Sequence, residues 1–345
     1  MDNDATHESH AFIRSTTLPI SRRGIDRREF LRRAGCVGAG LVLIHVPRRT
    51  FAETSEPLPT RILGRTKQRV SILGLGTAPV GEGPVGVEEG IRIFSEVIDR
   101  GVTYVDTARI YGNAEEILGH IIPKRRDKLF LVSKVSTDNG ARAEQSLNES
   151  LRRLKTDYLD LVHIHSMGTK NVDRVLAKDG VLDYLLKQKE TGKIRFVGMS
   201  GHNRPPNFVR MLATDQIDVV MCVMNHADRN IYDFESKVLT EAKKRNVGCA
   251  AMKVYAGIKG GFPFHRSGYV GCATEAGRLP DAMAYALDLD GVNVAVVGPY
   301  TVEQAIQNVQ FARKYKPLSE QQRVSLLEYG KKLAETLGPR YGAVT

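Results

Sequence analysis

From about Arg61 onward the chain alternates two textures of apolar and polar positions. Short runs rich in aliphatic and β-branched residues fall at 103–106 (TYVD), 129–134 (LFLVSK), 159–165 (LDLVHIH), 195–199 (RFVGM), 218–223 (DVVMCV), 247–252 (VGCAAM) and 293–297 (NVAVV). A short hairpin and a first strand precede them within RILGRTKQRVSILGLGT. Between these strands lie VEEGIRIFSEVIDRG, RAEQSLNESLRRLK and FESKVLTEAKKRNVG, whose apolar residues recur three and four positions apart and predict helices. Eight strand-helix units predict an α/β fold, a (β/α)8 TIM barrel with a short N-terminal hairpin and a C-terminal helix. No internal repeat or Pro/Ser-rich linker divides it, so residues 53–345 are expected to form one domain. The long irregular stretch at 256–278, between the seventh strand and its helix, is expected to be an active-site loop.

Composition agrees with a large buried core: 345 residues, 42% hydrophobic and 26% charged. The net charge of +11 raises the question of a polyanionic partner. Nine arginines against five acids fall within residues 1–52, and the other basic residues are spread over helix faces such as KRR at 124–126 and KKR at 243–245. Such runs are solvated surface, and no nucleic-acid partner is expected. The four cysteines form no C-x-x-C pair. Cys222 and Cys249 sit in apolar runs as buried thiols, whereas Cys272 lies in a Gly-rich loop.

Residues 1–52 have the order of a targeting segment. A basic block is followed by a 13-residue apolar run, Ala34 to Val46, and then by TFA. The run is too short to span a bilayer as a stable membrane anchor. DRREFLRRA resembles a twin-arginine (Tat) translocation signal, with Arg27 and Arg28 as the pair and Phe30 and Leu31 following. The resemblance implies recognition by the twin-arginine machinery, export of the folded protein to the periplasm and cleavage before Glu53. The alternative is a basic tail on a cytoplasmic protein.

The stretch YVDTARIYGNAEEILG carries the candidate chemistry. A strand ending in Asp106 leads through a loop bearing Tyr111 to a helix for which Asn113 is the expected N-cap. Residues at the ends of barrel strands face a common cup. Collecting them gives Asp106, Tyr111, Lys134 and His165: a carboxylate, a phenol, an ammonium and an imidazole around one position. Lys134 is expected to stabilise phenolate and lower the Tyr111 pKa, Asp106 to hold Lys134 in place, and His165 to orient a carbonyl oxygen.

Over residues 60–315 the chain resembles the aldo-keto reductases, through VDTARIYGNAEEILG, FLVSK, SLNESLRRLKTDYLDLVHIH, GKIRFVGMS and VAVVG…EQAIQN. The resemblance implies a catalytic tetrad of Asp106, Tyr111, Lys134 and His165, hydride transfer from NAD(P)H to a small-molecule aldehyde or ketone, and Tyr111 as proton donor. It implies cofactor contacts at Ser200, Asn225, Met252, Gly298, Thr301, Gln304 and Asn308. Several depart from the family pattern: Gly201 replaces an Asn, Met221 a Gln and Met252 the aromatic that stacks on nicotinamide. Gln304 stands in place of a 2′-phosphate-binding Arg, with Glu303 beside it, and GPYTVEQAIQN holds no basic residue. NAD(H), or both dinucleotides, is therefore the expected cofactor.

Two other readings compete. His163 and His165 lie on one strand face, with His202 and His226 after the next strands, an arrangement similar to the metal cup of amidohydrolases, although VVGPY lacks the carboxylate that such a cup needs after strand eight. A cofactor-holding regulatory or redox subunit on the same barrel is the second.

Overall fold

Eight parallel strands close into a barrel in the computed structural model, which describes residues 56–258 and 271–345. The proposed signal with Arg27 and Arg28, and residues 259–270 of the long loop, lie outside the described residues. Two strands come first, β1 (Thr60–Ile62) and β2 (Arg69–Ser71), paired antiparallel as the predicted hairpin. The barrel strands follow: β3 (Leu73–Gly76), β4 (Tyr104–Asp106), β5 (Phe130–Val135), β6 (Leu159–Ile164), β7 (Ile194–Gly201), β8 (Val219–Val223), β9 (Gly248–Met252) and β10 (Val294–Val297). β10 pairs with β3 in the register Ala295↔Leu73, which closes the ring. Apart from β7, every residue of these eight strands is buried, because helices cover the outer face and side chains fill the inner one.

The hairpin turn seals the N-terminal mouth of the barrel. Leu63 is fully buried against the start of β9, where a Cβ on Gly248 would lie 2.8 Å from the Leu63 Cγ. Above it, Tyr104, Phe130 and Phe196 stack in sequence with centroids 5.6 and 6.1 Å apart. Higher still, His163 is wholly buried beside Gly198, and a Cβ at Gly198 would collide with the imidazole and lie 2.6 Å from the Val219 carbonyl. Burial lowers the His163 pKa well below the usual histidine value. His163 thus fills the barrel interior as a neutral ring.

The long helix Val87–Asp99 buries Ile93, Phe94 and Val97 against the sheet, and Gly140–Leu154 does the same with Leu147 and Leu151. Two local expectations change. The helix after Asn113 is only Ala114–Leu118, and Asn113 makes no side-chain cap; Glu115 is buried there and accepts a 2.7 Å hydrogen bond from Ser133. The sequence FESKVLTEAKK folds as a short π-helix, Glu235–Leu239, continuing into a short α-helix, Thr240–Lys244. The C-terminal helix, Glu320–Leu337, starts in a capping box of Ser319 and Gln322. Beyond it the tail turns at Gly338 (φ +57°) and brings Arg340 and Tyr341 to the C-terminal mouth. Among the described residues no helix is long and apolar enough to cross a membrane.

Candidate active site

All four residues of the expected tetrad meet at the C-terminal mouth. Asp106 ends β4 and Lys134 lies one residue from the end of β5, so the parallel register sets them on neighbouring strands. The Lys134 Nζ donates to Asp106 Oδ2 at 2.6 Å and to the Thr107 carbonyl at 2.9 Å, and both side chains are buried. The same ammonium stands 4.7 Å from the centroid of the Tyr111 ring. His165, one residue past β6, meets Tyr111 edge-on with centroids 5.8 Å apart. Ser136 Oγ lies 3.1 Å from His165 Nδ1 and fixes the imidazole, with Nε2 as the other ring nitrogen. The fold therefore stacks a buried ion pair under a phenol flanked by an imidazole.

The electrostatics correct one expectation. The Tyr111 pKa is held well above the usual phenol value, first by burial and then by the negative charges of Asp106 and Glu82. Lys134 lies over the ring face and is committed to Asp106 and Thr107, and at the phenol its charge is outweighed by burial and the two carboxylates. Tyr111 accordingly keeps its proton at neutral pH. Burial also drives His165 well below its ordinary value, helped by the charges of Lys134, Lys170 and Lys253, and the ring is neutral.

The tetrad opens on a cavity of about 860 Å3, within the range of small-molecule and cofactor sites. Tyr111, His165 and His202 line it with Asn203, and Met252 and Asn308 line its other parts. Four further lining residues did not stand out in the sequence as site residues: Glu82, Lys253, Arg340 and Tyr341. Burial pushes the Glu82 carboxyl up to about 7, against the pull of Lys253 and Lys134. Burial also brings the Lys253 ammonium down to about 8, against the pull of Glu82. Only Glu82, an acid after β3, and Lys253, which follows the buried β9 run, carried a signal; Arg340 and Tyr341 carried none.

The histidines do not converge as a metal cup would require. His163 is enclosed within the barrel, and His226 stacks on Tyr329 at 5.7 Å beside Thr274. Among the described residues no three His, Cys, Asp or Glu side chains are grouped to hold a metal ion.

Comparison with known proteins bears on the same elements. The model of the Aldo/keto reductase family matches residues 72–262, more than half of the chain, from β3 through the loop after β9. The chain belongs to the aldo/keto reductase family. It is 32% identical to L-galactose dehydrogenase of Arabidopsis thaliana over 154 residues, covering 41% of this chain and 48% of that protein. It is 37% identical to a methylglyoxal reductase of Escherichia coli over 132 residues, covering 37% and 44%. The chain thus spans about half the length of these curated relatives. An aldo-keto reductase from Bacillus halodurans, solved in a holo form, superposes with a TM-score of 0.65 at 25% identity, covering 80% of this chain and 97% of that one.

The positions that the family resemblance assigns to a dinucleotide divide into two groups. Met252, Gly298, Gln304 and Asn308 line the cavity. Ser200 is buried next to cavity-lining Met221, and its Oγ has no partner among the described residues. Such an orphaned hydroxyl suits a bound polar group. Thr301 caps the helix Val302–Arg313 by accepting from the Gln304 N–H at 3.2 Å. Asn225 lies outside the cavity lining and its amide is spent internally: Nδ2 donates to Asp228 and to the Lys253 carbonyl, while Oδ1 accepts from the Ala227 and Asp228 N–H groups. The structure therefore gives Asn225 a bracing role between the β8 and β9 loops. Cys272, expected in an open loop, is half-buried in the cavity wall.

Proposed function

We propose that this protein reduces an aldehyde or ketone to an alcohol using a nicotinamide dinucleotide. The observation that carries the reading is the buried Lys134–Asp106 pair beneath a protonated Tyr111, with His165 at its edge. A carbonyl oxygen placed between Tyr111 and His165 receives two donors: the phenol, and the His165 Nε2–H of the tautomer whose Nδ1 accepts from Ser136. When bound, the reduced nicotinamide supplies hydride to the carbonyl carbon. As negative charge grows on oxygen, Tyr111 gives up its proton, and the Lys134 ammonium near the ring stabilises the phenolate left behind. Asp106 and the Thr107 carbonyl keep Lys134 from moving toward the ring.

Met252 provides a polarisable surface for a flat ring, Ser200 an unsatisfied hydroxyl, and Asn308, whose Oδ1 accepts from the Tyr255 hydroxyl, a polar group on the cavity wall. Preference for NAD(H), or use of both dinucleotides, is part of this proposal. The Gln304 Oε1 is already accepting from the Tyr300 N–H at 2.8 Å. The Glu303 carboxylate is stabilised by its own backbone N–H and by Thr301, so a negative charge already sits at the helix start where a phosphate would bind. We further propose export by the twin-arginine route, supported by Arg27, Arg28 and the apolar run 34–46. Replacing both arginines by lysine is expected to keep full-length, folded protein in the cytoplasm, and efficient export of that variant would contradict it.

The reading is tested by mixing the protein with NADH or NADPH and an aromatic aldehyde. Aldehyde-dependent oxidation of the dinucleotide with stoichiometric alcohol is expected. Tight dinucleotide binding with no turnover on any aldehyde or ketone would favour the cofactor-holding alternative.

A further inference from the structure

Lys253 occupies the left-handed backbone region, as Lys67 and Lys155 do at helix ends, but in a loop that lines the cavity. Its φ is +57°, Ala256 three residues on has φ +57°, and both carry a Cβ that disfavours this region. A buried network clamps the turn between them. Asn225 Nδ2 donates to the Lys253 carbonyl at 2.9 Å and to Asp228 Oδ2 at 2.7 Å. Arg340 Nη2 donates to the same Asp228 oxygen at 2.8 Å and to the Ala256 carbonyl at 3.0 Å. The Ala256 N–H closes the turn on the Lys253 carbonyl at 2.8 Å. Three polar side chains from two distant segments, the loop after β8 and the C-terminal tail, thus fix one strained turn, and Lys253 lines the cavity from it. Strain of this kind gathers at functional positions.

Lys253 lines the same cavity as Asp106, His165, His202 and Glu82, and its charge acts on all four. The tetrad already contains its own ammonium, Lys134, neutralised by Asp106. A second, partly desolvated ammonium beside it is redundant for protonating a carbonyl and well suited to hold a negative group on the substrate. Of the nearby acids, Asp106 is taken by Lys134 and Asp228 by Arg340, and Glu82 is the further carboxylate that lines the cavity and acts on Lys253.

We propose that Lys253 is a substrate-anion anchor and that the substrates are oxo acids, carbonyl compounds carrying one carboxylate a few carbons from the reacting centre. Asn225, Asp228 and Arg340 are positioning residues that present it, and Glu82 is the internal counter-ion that an incoming carboxylate replaces. A single negative charge matches one ammonium, whereas a phosphate dianion would also face Glu82 and Asp106. This inference rests on the reductase reading and narrows its substrate class.

The test compares 4-oxobutanoate with butanal, which share chain length and aldehyde and differ in the carboxylate. Wild-type kcat/KM is expected to favour 4-oxobutanoate. Lys253→Met keeps the Cβ and the bulk, and is expected to lower the 4-oxobutanoate to butanal ratio roughly ten- to hundredfold, as for loss of one charged hydrogen bond. Glu82→Gln is expected to raise the ratio. Binding of succinate, which cannot be reduced, is followed by calorimetry in the same variants and is expected to change in the same directions; it reports on the anchor even if no aldehyde is turned over. An unchanged ratio in Lys253→Met, an equal loss for both aldehydes, or a matching loss of NADH affinity would each overturn the proposal.

Discussion

Lys134 donates to Asp106 at 2.6 Å in a setting where both side chains are almost wholly buried. Burial raises the carboxyl and lowers the ammonium, and each partner opposes the shift of the other. Removing one member strands the other as a buried charge, which costs more than the pair contributes. Asp106→Asn and Lys134→Met are each expected to lower unfolding stability by about 3–5 kcal/mol, whereas the double variant recovers a large part of that loss. Denaturant unfolding measures this, and single variants as stable as the wild type would show that the pair is not desolvated.

Glu82 gives the cavity a pH signature. Its folded-state carboxyl lies at about 7, above the ordinary value of 4.5. The folded protein therefore holds that proton more tightly than the unfolded chain does. The stabilising contribution is complete below about 4.5 and is lost as pH rises through about 7. The stability of wild type relative to Glu82→Gln is expected to fall across that window and to level off above it. A difference that stays flat from pH 4 to 8 would mean that Glu82 is solvated like a surface acid.

Gln304 offers a switch of cofactor preference. With Glu303 beside it and no basic residue between 298 and 308, nothing on this helix start clamps a 2′-phosphate. Gln304→Arg is expected to tighten NADPH relative to NADH by roughly tenfold or more, the worth of a charged contact. Wild-type protein binding NADPH a hundredfold more tightly than NADH would contradict the assignment.

The barrel strands were legible because each is a short run dominated by aliphatic and β-branched residues between helices, and for the seven with stated bounds the observed ends differ by two residues at most. The grouping of Asp106, Tyr111, Lys134 and His165 was legible because all four lie at or just beyond the C-terminal ends of successive strands. What escaped depends on contacts between distant loops. The role of Asn225 is decided by Asp228 and by a carbonyl after β9, and that of Arg340 by a tail that returns to the mouth after an 18-residue helix. The direction of the Tyr111 pKa also escaped, because it follows from burial and from Glu82, which sequence order does not place beside it. Asn113 looked like a cap by residue type, yet the five-residue helix it precedes leaves its side chain unused.

The central claim is that Tyr111 delivers the proton in a reaction whose cofactor binds without its help. The direct measurement is the single-turnover rate of an aromatic aldehyde with protein preloaded with NADH, for wild type and Tyr111→Phe, alongside the NADH dissociation constant of each. The account predicts a rate lower by roughly 100- to 10,000-fold with the dissociation constant nearly unchanged. Reduction by Tyr111→Phe at the wild-type rate would contradict it.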